Sequence, residues 1–265
     1  MKIAVPIKQV PETSTVKMDP ETGTMVREGV EAIVNPLDLY AIETAIRLRQ
    51  EHGGEATCIT MGPPAAQKAL REAISMGMDA GVLVSDKKFA GSDTWATSLV
   101  LANVLKSLGG FDMIICGERA TDGDTGQVGP ETAAFLDLPV ATYIGSIDAI
   151  RDGTCRCRRM VEDGYEILEV QLPAVLTVVK EIGIPRLPTL RGKQKARHAD
   201  IRVITAKDLG IPEKSLGLEG SPTKVMKISS PAVSRKCRML TAKNDRDIQE
   251  AIGQTVDFLR EKKLI

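Results

Sequence analysis

Residues 111–130 read FDMIICGERATDGDTGQVGP. The first six residues form an apolar run with the length of a buried strand. The run breaks into a polar loop with glycines at 117, 123, 126 and 129, and a helical pattern follows to about residue 136. A buried strand, a glycine-rich turn and a helix make up one half of a βαβ unit. In a sheet assembled from such units, ligands sit beyond the carboxyl ends of the strands.

The same alternation runs back to the start of the chain. Residues 2–7 form a short apolar strand. Residues 36–50 carry Leu37, Ala41, Ile42, Ala45, Ile46 and Leu48 at helical spacing, and Pro36 suits the first turn. A second strand over 55–61 stops at Gly62-Pro63-Pro64, a helix over 65–76 ends at Gly77, and a third strand covers 80–85. Ser92 or Asp93 caps a long helix through Leu108. The expected fold is α/β: a mostly parallel sheet with helices on both faces, Rossmann-like in its winding.

Past Leu138-Pro139 the pattern changes. Residues 154–161 and 165–170 alternate around Glu162-Asp163-Gly164, a β-hairpin signal, and 174–179 read as one more buried strand. From Ile184-Pro185 the chain turns basic and loop-rich, and it ends on a single amphipathic helix over 245–262. The predicted organisation is an α/β domain over residues 1–185, with its hairpin near 154–170, and an extended arm over 186–265. A lone helix on such an arm has little core of its own, so the arm is expected to pack on a partner.

Composition narrows the function classes. The 265 residues are 43% hydrophobic and 26% charged, enough apolar content for a buried core. No apolar run reaches the length of a membrane span, and the first ten residues lack a signal-peptide design. Five cysteines without a CxxC argue for a reducing cytoplasm and against a disulfide scaffold or zinc ribbon. Two histidines, His52 and His198, exclude a histidine-rich metal site. The zero net charge hides an asymmetry: residues 1–185 hold 17 Lys+Arg against 26 Asp+Glu, and residues 186–265 hold 18 against 9. The basic arm has one aromatic residue, Phe258, and so no stacking platform; no nucleic-acid partner is expected.

The loop over 117–130 is the richest candidate site. Glycines permit close backbone approach, and N–H groups at a helix start favour phosphate. Thr125 and Gln127 add side-chain donors, while Thr121 and Asp122 suit a ribose or a base. The spacing is neither GxGxxG nor a P-loop, and the plain alternative is an ordinary βα turn. Three more loops fall at the same sheet edge: Pro6-Ile7-Lys8-Gln9, Asn35-Pro36-Leu37-Asp38 and Met61-Gly62-Pro63. Asn35 also fits a helix cap, and Met61 a core gap-filler. The candidate cofactor-binding set is Pro6, Asn35, Pro36, Leu37, Asp38, Met61 and Gly62, with Asp122, Gly123, Asp124, Thr125, Gly126, Gln127, Val128, Gly129 and Pro130. It contains no obvious nucleophile, general base or metal ligand, which points to a binding or carrier protein.

Several of these segments match a known family in order and spacing. They are Val5-Pro6-Ile7-Lys8, Asn35-Pro36-Leu37-Asp38, Met61-Gly62-Pro63, Ala73-Ile74-Ser75-Met76-Gly77-Met78-Asp79 (against an ALAMGAD stretch) and the 122–130 loop. Phe135-Leu136-Asp137-Leu138-Pro139, Leu172-Pro173-Ala174-Val175-Leu176-Thr177 and Ile184-Pro185-Arg186-Leu187-Pro188-Thr189-Leu190 continue the match. Over nearly its full length the chain resembles the beta subunits of electron-transfer flavoproteins.

The resemblance implies an alpha-subunit partner that holds most of the shared flavin. Beyond it stands a flavin-containing dehydrogenase of acyl-CoA or 2-hydroxy-acid type. It also implies a nucleotide pocket in this chain, filled by AMP in the ordinary branch and by a second FAD in the electron-bifurcating branch. There the FAD exchanges hydride with NADH, and ferredoxin is the further carrier. The ordinary branch reads Asp-Cys-Asn-Gln-Thr-Gly-Gln at the loop. Here Asp124-Thr125-Gly126-Gln127-Val128-Gly129-Pro130 resembles the bifurcating pattern, and Gly126 and Gly129 are expected to free space and backbone donors for the larger ligand. The expected function is that of an FAD-binding, electron-carrying beta subunit; an AMP-binding carrier and a non-redox nucleotide module are the alternatives. Residues 184–190 resemble the family's partner-recognition loop. Leu190, in a segment that predicts neither helix nor strand, is expected to anchor in an apolar pocket on the dehydrogenase, against the alternative of a local contact beneath its own loop.

Overall fold

A computed structural model describes residues 1–12, 17–18, 25–26, 32–226 and 239–265. In chain order the first strands are β1 (Lys2–Pro6), β2 (Gln9–Pro11), β3 (Lys17–Met18), β4 (Met25–Val26) and β5 (Ala32–Val34). Helix α1 (Asp38–His52), β6 (Glu55–Met61), α2 (Gln67–Met76), β7 (Ala80–Val84) and α3 (Thr94–Ser107) follow. Next come β8 (Met113–Gly117), α4 (Val128–Leu136), β9 (Val140–Arg151), β10 (Thr154–Val161), β11 (Gly164–Gln171) and β12 (Ala174–Val178). The chain continues through α5 (Leu190–His198), β13 (Ile201–Ile204), α6 (Ala206–Leu209) and α7 (Asp245–Glu261).

Nine strands join one sheet in the order β11-β10-β9-β12-β8-β1-β6-β7-β13. Every pairing from β9 across to β13 is parallel, and only β9/β10 and β10/β11 are antiparallel. From β1 the chain winds one way through β6 and β7, then returns to place β8 on the other flank of β1. The strand order therefore reverses between β1 and β8, and in an open α/β sheet the crevice outside such a reversal is where ligands bind.

Both faces of the sheet are covered. On one, Ala41, Ile42, Ala45 and Ile46 of α1 and Leu70, Ala73 and Ile74 of α2 pack on Ile3, Val5, Met113 and Leu176. On the other, Val100, Leu101, Val104 and Leu105 of α3 and Ala133 of α4 pack on Ala4, Ile59, Val82 and Ile114. Helix starts and stops follow local chemistry. Asp93 caps α3 by accepting the Ala96 N–H at 3.0 Å, and Asp137 closes α4 in the left-handed region at φ 57°.

The α/β unit is larger than the sequence reading drew it. The described residues fall into two compact units, Met1–Lys227 and Ile228–Ile265. The first passes residue 185 because β13 pairs with β7 from Ile201↔Gly81 to Ile204↔Val84, adding an edge strand. Helix α5 seats against α2: Arg71 Nη1 donates to the Ala199 carbonyl at 3.3 Å, and a Cβ at Gly192 would overlap the Ser75 carbonyl. Leu190 is thus the first residue of a helix, not part of a coil. In the second unit, Asn244 caps α7 by accepting the Asp247 N–H at 3.0 Å. Among the described residues, no helix is long and apolar enough to cross a membrane.

Candidate functional site at the strand-order reversal

Three loops meet beyond the carboxyl ends of β1 and β8, and buried polar side chains tie them together. Asn35, completely buried, does most of this. Its Nδ2 donates to the Arg119 carbonyl at 2.9 Å, and its Oδ1 accepts the Thr121 N–H at 3.1 Å. The Asn35 N–H donates to the Lys8 carbonyl at 2.8 Å, and its own carbonyl accepts the Asp38 N–H at 2.9 Å. The capping reading of Asn35 therefore does not hold: Leu37 stands at the α1 N-cap, with no side-chain cap. The carboxamide instead fixes the entry to the glycine-rich loop.

Asp38 completes the tie. Its Oδ2 accepts the Lys8 N–H at 2.7 Å, and its Oδ1 lies so close to the Gly117 Cα that a Cβ there would overlap it. Gly117 is glycine because β8 must end against this carboxylate. Burial pushes the Asp38 carboxyl up to about 7, against the lowering effects of the Lys8 N–H and the Asn35 side chain. Desolvation wins because the group is only 6% exposed. Beneath it, burial pushes the Cys116 thiol up to about 12, with Asp38 adding to the shift. That thiol stays protonated at neutral pH and does not act as a nucleophile.

Across the mouth, Lys8 Nζ pairs with Asp122 Oδ1 at 2.7 Å. Sequence reasoning quoted Lys8 but left it outside the binding set; its place directly after the first strand was the available signal. Arg119 pairs with Glu118 at 3.2 Å and with Asp124 at 2.8 Å. The mouth thus holds two cations, each already paired, among four carboxylates. Among the described residues an incoming phosphate finds no unpaired cation here, and backbone N–H groups are the donors on offer.

Those groups lie at the start of α4. Gln127 stands at its N-cap without a side-chain cap, so the first-turn N–H groups of Val128 and Gly129 lack an internal side-chain acceptor. Gly126 sits at φ +64° and is half-buried; a Cβ there would meet the Glu118 carbonyl at an ordinary contact distance of 3.6 Å. Gly129 differs from expectation. It is buried, and a Cβ there would come within 2.8 Å of Thr177 Cγ2 and 3.5 Å of Cys116 Cβ. Its small size serves the packing of α4 on β8 and β12, not ligand space.

The remaining candidates divide by exposure. Thr121 to Thr125 and Gln127 are exposed around the mouth, as is Pro36, while Leu37, Met61, Gly62, Val128 and Pro130 are half-buried. Gly62 ends β6 by donating its N–H to the Val84 carbonyl at 3.0 Å, one strand further from the reversal than Pro6. Leu190 lies on α5, 89% exposed, and so packs beneath no loop.

Comparison with known proteins gives this geometry its context. A model of the electron transfer flavoprotein domain matches residues 22–209. The chain is 43% identical, over the full length of both proteins, to "Electron transfer flavoprotein subunit beta" of Thermoanaerobacterium thermosaccharolyticum. It is also 43% identical over both full lengths to "Caffeyl-CoA reductase-Etf complex subunit CarD" of Acetobacterium woodii. With "Acryloyl-CoA reductase electron transfer subunit gamma" of Anaerotignum propionicum the identity is 40%, again over both full lengths. A parallel sheet with its loops gathered at the reversal, together with these full-length likenesses, places the chain in the electron transfer flavoprotein beta-subunit family.

Proposed function

We propose that this chain is the beta subunit of a heterodimeric electron-transfer flavoprotein and that its cleft holds FAD. In this reading it carries electrons between NADH, a flavin-containing dehydrogenase and ferredoxin. The observation that carries the proposal is the uncapped start of α4, preceded by Gly126 in the left-handed region at φ +64°, at the strand-order reversal. The residues fit a dinucleotide. Backbone N–H groups of 128 and 129 take the pyrophosphate, Thr125 and Gln127 add donors, and the loops tied by Asn35 and Asp38 form a fixed wall. The Lys8–Asp122 pair is exposed and contributes at most about 1 kcal/mol, so a ligand displaces it at little cost.

When bound, FAD supplies hydride exchange with NADH and single-electron exchange with other carriers. This chain binds and orients it. The buried, neutral Cys116 thiol below adds no competing chemistry. All cysteines among the described residues are free and buried, which suits a reducing cytoplasm. The relatives named for caffeyl-CoA and acryloyl-CoA reductases favour an acyl-CoA-type dehydrogenase over a 2-hydroxy-acid type.

AMP in the same cleft, with one flavin per heterodimer, is the second reading. Gly129 favours it, because its small size is taken up by packing on Thr177 and frees no space for a larger ligand. Acid extraction and chromatography of the purified heterodimer separates the two. Two FAD and no AMP is the expected content; one FAD with one AMP overturns the bifurcating assignment.

A further inference from the structure

Residues 184–190 combine two properties that are seldom found together. Ile184, Leu187 and Leu190 are 91%, 84% and 89% exposed. Yet the backbone that carries them is fixed from below. Helix α1 presents Glu43, Arg47 and Gln50 at helical spacing as a polar ledge. Arg47 Nη1 donates to the Ile182 carbonyl at 3.2 Å, holding one end of the segment. Within the segment the Glu43 carboxylate receives three donors from Arg186: the N–H at 3.1 Å, Nε at 2.7 Å and Nη2 at 2.9 Å. Arg186 Nη2 also reaches Gln50 Oε1 at 3.2 Å. The Glu43 side chain is only 9% exposed, so this is a half-buried fork-to-fork ion pair and not a solvent contact.

The grip thus holds the backbone of a segment whose three large apolar side chains stay exposed. Exposed apolar side chains on a fixed backbone lower the ordering cost of binding, because the entropy is lost at folding. We propose that Glu43 is a positioning residue: through Arg186 it pre-forms the apolar ridge Ile184–Leu187–Leu190 for docking to the flavin dehydrogenase. The inference rests on the reading that this segment docks the dehydrogenase. The nearby Arg191 and Lys193 suit a partner surface with an apolar hollow and an acidic rim.

The test uses the purified heterodimer, reduced by NADH, with an acyl-CoA dehydrogenase as electron acceptor. Glu43→Gln removes the charge from the ledge; Arg186→Lys removes the fork from the surface side and leaves α1 untouched. Leu190→Ala probes the docking reading by itself. Amide exchange at Arg186, whose N–H is held by Glu43, reports local order directly. Both ledge variants are expected to speed that exchange and to raise KM for the dehydrogenase about tenfold while kcat stays within about twofold. A purely structural role for the pair would lower the melting temperature and leave that KM alone. If Leu190→Ala raises KM while the ledge variants speed exchange without moving KM, the positioning role is overturned and the docking reading stands. If none of the three variants moves KM, the docking reading fails and the inference falls with it.

Discussion

Asp38 shows how one carboxylate can be both structural and sensitive to pH. Its folded pKa of about 7 lies above the ordinary 3.8. A raised acid binds its proton more tightly when folded, so its stabilising contribution is complete below about pH 4 and is lost as pH rises through about 7. Relative to Asp38→Asn, the wild-type chain should therefore lose stability between about pH 4 and about pH 7, with a ceiling on the order of 4 kcal/mol. Urea midpoints for both proteins across that range check this; parallel profiles would refute the buried-proton account. Gly126 makes a second, conformational case. At φ +64° a β-branched side chain is strained, by about 1–3 kcal/mol, and would crowd the Glu118 carbonyl, 3.6 Å from the Cβ position. Gly126→Val should lose the nucleotide of this chain while the heterodimer keeps the flavin held by its alpha subunit. Full nucleotide content in the variant would mean that the loop is not the pocket wall.

Among the elements, legibility followed periodicity. Strand β8, the glycine-rich loop and α1 through α3 were readable because their apolar spacing matches their burial. Strand β9 was not, because Tyr143 sits at φ 57° and donates its N–H to Thr177 Oγ1 at 3.1 Å, which breaks the alternation within the strand. Helix α5 was missed because its sequence, LRGKQKARH, has no apolar stripe: it buries only Ala196 and is held by Gly192 and Arg71 contacts. Strand β13 is four residues long and buries only Ile201 and Ile204. At the site, the loops after β1 and β8 were legible from strand ends and the 35–38 loop from the helix it opens, while the Met61-Gly62-Pro63 loop, expected beside them, lies one strand further from the reversal. The role of Gly129 was not legible, since its constraint comes from Thr177 on a distant strand. The segment before α5 carries the third prediction. Leu190→Ala removes a nearly fully exposed side chain, so the free protein should keep its melting temperature within experimental error. Electron delivery to the dehydrogenase should slow roughly tenfold or more, because a docked leucine contributes about 1–3 kcal/mol. Stopped-flow mixing of the reduced heterodimer with the dehydrogenase measures it. Unaltered transfer would leave the exposure of Leu190 without a docking role.

At the scale of the whole molecule, the two units differ in what holds them. The Met1–Lys227 unit has a core on each face of its sheet. In the Ile228–Ile265 unit, α7 buries none of its 17 residues, and Ile248, Ile252 and Phe258 are 45%, 51% and 54% exposed. A lone amphipathic helix of this length is marginal in water, and its apolar face needs a surface to stabilise it. Leu240, Ile248, Ile252 and Val256 already line a shallow groove along that face. The alpha subunit is the proposed cover, which also gives a reason for the basic excess beyond residue 185. Since β13 completes the sheet edge at residues 201–204, a cut at 185 would damage the fold and tell nothing about the arm. Removing residues 228–265 is the cleaner experiment. The shortened chain should keep the circular dichroism of the α/β unit and elute from gel filtration apart from the alpha subunit. Ile248→Asp with Ile252→Asp in the full chain should weaken the heterodimer in the same direction, because two charges on the apolar face cannot be buried without a large desolvation cost. A heterodimer that survives both changes would mean that the arm lies free and that the interface is carried by the α/β unit.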